Sequence, residues 1–122
     1  MVVSRVEKLQ GVLDELSMNP EIVGSAVVSE DGLIIASSLP SELDEERVSA
    51  VVAALQSIAE RSTHQIGLGR INRLMVFAER GGVLLYVGEK ASLAVFTRPS
   101  AKLGLILLET AEAVKSLKEF LG

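Results

Sequence analysis

Apolar positions recur along the chain with two different periods, and the switches between them mark out the elements. Val6, Leu9, Leu13 and Leu16 fall three and four residues apart, the spacing of one buried helix face. Ser4 stands where a cap belongs, with Glu7 three residues on, so a helix is predicted over residues 5–17 and Asn19-Pro20 stops it. The next stretch, SAVVSEDGLIIAS, has short apolar runs on both sides of Glu30-Asp31-Gly32. Asp-Gly between β-prone runs predicts a hairpin of strands 22–29 and 33–38, closed by a tight turn with positive φ at both central residues.

Leu39-Pro40-Ser41 breaks the second strand, and Glu42 to Glu46 bring negative charge to the start of a second helix, where the helix dipole favours it. That helix is predicted over residues 43–65, with Val48, Val51, Val52, Leu55, Ile58 and Ala59 as its core arc. The opposite arc carries Ala50, Ala53, Ala54 and Ser57. Small residues there permit close approach of another backbone; Ala is also simply a good helix former.

Beyond Gly67 and Gly69, three strands are predicted at 71–79, 83–88 and 93–98. Their turns fall at Gly81-Gly82 and over Glu89-Lys90-Ala91-Ser92. A last helix over 101–121 places Leu103, Ile106, Leu107, Val114, Leu117 and Phe120 on one side. The order is αββαβββα, and links this short make the strand pairs antiparallel. Runs such as Leu74–Ala78 and Val83–Val87 hardly alternate, which fits a sheet covered on both faces by the three helices.

The chain has 122 residues, no cysteine and 48% hydrophobic residues, so it reads as one globular domain over residues 1–122. Missing cysteines exclude disulfides and zinc–thiolate sites and fit a cytoplasmic location. No apolar run is long enough for membrane insertion. The net charge of −4 is uneven: residues 1–60 hold 3 Lys/Arg against 11 Asp/Glu, residues 61–122 hold 9 against 5. Opposite halves of this kind suit a protein–protein contact. An acidic total with three Phe and one Tyr disfavours nucleic acid.

Catalytic constellations are missing. Gly67-Leu68-Gly69 follows a helix and precedes a strand, the reverse of a phosphate loop. The lone His64 has neither nucleophile nor orienting acid in sequence and suits a helix C-terminus. Glu42, Asp44, Glu45 and Glu46 read as charge complementing the dipole rather than as metal ligands. No cofactor is expected. Arg70 and Arg73 flank the apolar run Leu74–Phe77; charges near an edge discourage aggregation, or else that edge pairs with a partner strand.

The stretches GSAVVSEDGLIIAS and RLMVFAERGGVLLYVGEKASLAVFTRPSAKLGLILLE, the Ala-rich helix between them and the αββαβββα order resemble the roadblock family of dynein light chains. The likeness is strongest to its small single-domain prokaryotic members, among them gliding-motility regulators of the MglB type. Arg98-Pro99-Ser100-Ala101 stands where an acidic turn is common in that branch.

The resemblance implies an α+β, roadblock/profilin-like sandwich: a five-stranded antiparallel sheet with one helix on one face and two on the other. It implies a homodimer with a continuous ten-stranded sheet, in which the third strands pair through Ile71, Arg73, Leu74, Met75 and Val76. The second helices then meet through Ala50, Ala53, Ala54 and Ser57. It further implies a non-catalytic regulator or scaffold of a small Ras-like GTPase. Gln56, Glu60 and Arg61 on the second helix read either as its contact residues or as ordinary surface, and Arg47 is a further accessible contact. A pure adaptor subunit is the alternative, and a small-ligand sensor a more distant one.

Overall fold

The computed structural model describes residues 4–122. Its elements are α1 (Arg5–Leu16), β1 (Ile22–Ser29), β2 (Ile34–Ser38), α2 (Glu45–Gln65), β3 (Arg73–Ala78), β4 (Gly81–Val87), β5 (Ala91–Thr97), α3 (Leu103–Ser116) and α4 (Lys118–Leu121). The five strands form one sheet in the order β2-β1-β5-β4-β3, and every neighbouring pair is antiparallel.

Two apolar layers sandwich this sheet. Leu9, Leu13 and Leu16 of α1 meet Ile106, Leu117 and Phe120 from the C-terminal helices over Val27, Leu84, Leu93 and Val95. On the other face Val48 and Val52 of α2 pack on Ala26, Val28, Leu85 and Ala94. A fully buried Leu such as Leu13 or Leu93 contributes about 1.5–3 kcal/mol, so the α1/α3 layer carries most of the fold's stability. The α2 layer is thin.

Ser4 Oγ accepts the Glu7 N–H at 3.1 Å and caps α1. Val6, expected on the buried face, is 57% exposed, because it sits in the first turn at the margin of the stripe through Leu9, Leu13 and Leu16. The first hairpin also closes differently from expectation. The Gly32 N–H donates to Ser29 O, and the Ser29 N–H donates to Leu33 O. Gly32 alone in this turn takes positive φ, at 82°. Asp31 thereby avoids a left-handed conformation that costs any residue with a Cβ, and β2 starts at Ile34.

In the second hairpin the turn is Glu79-Arg80, while Gly81 and Gly82 lie inside β4 opposite Ala78 and Phe77. Their small size answers to β5. A Cβ on Gly81 would stand 2.6 Å from Thr97 O, and one on Gly82 would stand 2.9 Å from Thr97 Oγ1. Ala91 and Ser92 belong to β5 rather than to a turn, since the Gly88 N–H donates to Ala91 O at 3.0 Å and closes the link early. β3 is shorter than expected at both ends. The last helix begins at Leu103 and breaks at Leu117 (φ −97°, ψ 5°), which turns Phe120 and Leu121 into the core.

Candidate interaction surface

Asp44 caps α2 through a hydrogen bond from the Arg47 N–H, so the helix starts at Glu45 rather than at 43. Of its 21 residues only Val48 and Val52 are buried. Leu55 and Ala59 are half-buried on the same side. Val51 and Ile58, expected in the core arc, are 45% and 61% exposed. At 3.6 residues per turn they lie roughly 80–100° round the helix from the line that meets the sheet. Together with exposed Ala50, Ala54 and Ser57 they make an apolar, short-side-chain strip along the outside of α2.

In the link between α2 and β3, Ile66 and Leu68 are also exposed. β3 is an edge strand: among the described residues it pairs with β4 alone. Met75, Val76 and Phe77 are all exposed. An edge of this kind presents unpaired backbone N–H and C=O groups and is normally guarded by charge, Pro or a bulge. Here the guards are engaged elsewhere. The Arg73 guanidinium lies over the Tyr86 ring, 5.6 Å from its centroid. Arg70 stands 3.9 Å from Glu60 Oε1 and 3.8 Å from Glu89 Oε1. The middle of β3 is apolar and open.

A family model described as Roadblock/LC7 domain matches residues 8–97. The chain belongs to the Roadblock/LC7 family. An uncharacterized protein of Methanocaldococcus jannaschii is 38% identical to it over 107 residues, 88% of this chain and 94% of that protein. Among solved structures, Myxococcus xanthus MglB superposes with a TM-score of 0.87 at 19% identity, covering 98% of this chain and 91% of its own. A Roadblock/LC7 domain from Streptomyces avermitilis gives a TM-score of 0.82 at 21% identity, covering 92% and 96%. These two likenesses establish a shared fold.

Within this Roadblock/LC7 domain the residues read as dimer contacts divide into two groups. Ala50, Ala54, Ser57, Arg73, Met75 and Val76 are exposed. Ala53, Ile71 and Leu74 are half-buried. Ala53 backs onto the first hairpin, where a Cβ on Gly32 would lie 3.5 Å from its own Cβ, and Leu74 packs against the α2-side core.

The four residues read as partner contacts do not form one patch. Gln56, Glu60 and Arg61 share a depression of about 500 Å³ with Glu30 and His64, between α2 and the first hairpin. Arg47 lies fourteen residues before Arg61, about 21 Å along the helix. Two of the four also have internal partners. Gln56 Oε1 accepts from Ser92 Oγ at 2.9 Å. Glu60 Oε2 accepts the Ile71 N–H at 3.4 Å, and its Oε1 is 3.8 Å from His64 Nε2. Arg47 and Arg61 are exposed cations.

The acidic run 42–46 is similarly occupied, since Asp44 caps α2 and Glu45 accepts from Ser37 Oγ at 2.7 Å. Among the described residues no group of three or more His, Asp or Glu is placed to hold a metal ion, and no helix is long and apolar enough to cross a membrane. What the surface offers is apolar area plus a strand edge with no partner among the described residues. Sequence reasoning missed Val51 and Ile58 as surface residues. The signal was present in the width of the apolar arc, which exceeds what one helix packed on one sheet buries.

Proposed function

We propose that this chain works as a homodimer that binds a small Ras-like GTPase and modulates its GTP hydrolysis or its location. The observation that carries the reading is that α2 and the unpaired edge strand β3 both leave apolar residues exposed. Two-fold pairing of β3 with β3 of a second copy makes a ten-stranded sheet and covers Met75 and Val76. The same operation sets the α2 helices side by side, where Ala50, Ala54 and Ser57 let them approach and Val51 and Ile58 become buried. One symmetry operation thus covers both open features, as an isologous interface requires. Membership in the Roadblock/LC7 family and the fold shared with MglB support this reading.

In this reading the chain hydrolyses nothing itself. The GTPase holds the phosphates and magnesium, and a regulator acts on how its water-orienting groups are placed. Arg47 and Arg61 are the partner contacts best kept free by the fold, while Gln56 and Glu60 also hold α2 in place. The test is single-turnover GTP hydrolysis by a Ras-like GTPase from the same genome, with and without this protein. Acceleration that weakens in the Arg47→Ala/Arg61→Ala variant supports a regulator. Binding without acceleration makes the chain an adaptor, and absence of binding contradicts the proposal.

A further inference from the structure

On the opposite face of the sheet from α2, a groove of about 700 Å³ runs between α1 and α3. Its apolar side chains include Met18, Leu105 and Leu108, which are 80%, 49% and 62% exposed. Glu15, Glu109 and Glu112 line it as well, and among the described residues no Lys or Arg does. Glu109 is oriented by Asn19, whose Nδ2 donates to its Oε2 at 2.9 Å. Glu112 Oε1 is 3.7 Å from Lys115 Nζ, and both side chains are exposed. This is an apolar trough inside a rim of carboxylates.

We propose that the groove is a docking site for a basic amphipathic helix of a partner protein, one with apolar residues on one face flanked by Lys and Arg. The sign of the charge follows from the rim. Three carboxylates around apolar side chains attract cationic flanks and disfavour acidic ones. The helical form follows from the walls. They are α1, the turn Met18-Asn19-Pro20 and α3, with no strand among them, so the groove offers no strand edge to an extended peptide. An occupant must satisfy its own N–H and C=O groups, which a helix laid in a groove does. The site is separate from the α2 and β3 surface and does not depend on the function proposed above.

The experiment is an NMR titration of the isotope-labelled chain with a designed amphipathic peptide of about five helical turns, leucines on one face and lysines flanking them. A second peptide carries glutamates in place of the lysines. The lysine peptide is expected to give saturable shifts centred on Met18, Leu105 and Leu108, with affinity that falls as salt is added. The Glu15→Lys/Glu112→Lys variant, changed at two exposed positions, is expected to bind it at least roughly tenfold more weakly. Glu42→Lys, the same change of charge at an exposed position before α2, is expected to leave the affinity unchanged. No saturable shift, equal binding of the glutamate peptide, or shifts confined to α2 and β3 would overturn the proposal.

Discussion

Ser92, in the early part of β5, donates its hydroxyl to Gln56 Oε1 on α2 at 2.9 Å. Ser92 is 2% exposed, so Gln56 supplies a partner that water cannot easily replace. The bond matters because α2 buries so little apolar surface of its own. Gln56→Ala is expected to cost about 1–3 kcal/mol in chemical denaturation, the penalty for a buried hydroxyl left unpaired. A loss below about 0.5 kcal/mol, the low end of what a single hydrogen bond contributes, would show that the bond does not fasten the helix.

Ser25 presents the reverse case. Its Oγ is buried without a hydrogen-bond partner among the described residues, on a strand paired with Val95 and Ser38. Ser25→Ala removes a desolvated hydroxyl at little loss of volume and is expected to stabilise the fold by roughly 0.5–2 kcal/mol. A urea titration measures this. Destabilisation by a similar amount would mean that the hydroxyl finds a partner after all.

The fold's view of its own sequence differs between local and distant relationships. The Ser4 cap of α1 and the element order were legible because each depends on neighbours within a few residues. Gly81 and Gly82 were misassigned to a turn because the atoms that demand glycine there belong to Thr97, on another strand. The sequence offers Gln56 and Glu60 as partner contacts but hides their internal bonds, because Ser92 and Ile71 lie 36 and 11 residues away. Periodicity puts Val51 and Ile58 on the core arc because it shows that an arc is apolar, not how much of it one sheet covers. The α1/α3 groove, with its acidic rim, arises from the packing of two segments about 90 residues apart, as the Asn19–Glu109 bond marks.

Lys8 Nζ lies 2.8 Å from Glu119 Oε1. This hydrogen bond, then the lysine's charge, with a smaller contribution from Arg5, holds the Glu119 carboxyl below its ordinary pKa. Lys8→Ala is expected to move that pKa back up, as followed by carboxyl NMR. The sign for stability follows from linkage. A folded-state pKa below the unfolded value makes a contribution that is present above the unfolded pKa and is lost as pH falls through the folded one. Both groups are exposed, so the effect is confined to acidic pH and screened by salt. An unchanged Glu119 pKa in the variant would mean the pair does not persist in solution.

Ile58, 61% exposed on α2, separates folding from assembly. Ile58→Lys removes no core contact in the single chain, so its unfolding at high dilution is expected to change by less than about 0.5 kcal/mol. At higher concentration the same variant is expected to lose the concentration-dependent gain in melting temperature that a dimer confers. A variant that keeps this gain would place the helix strip outside the contact between copies.

In the proposed dimer a second copy covers β3 and α2, and light scattering behind a sizing column tests that most directly. At micromolar concentration the chain is expected to elute at twice its 13.0 kDa mass, and Ile58→Lys is expected to shift the population towards the single-chain mass. A wild-type chain that stays at 13.0 kDa at that concentration would contradict a dimer.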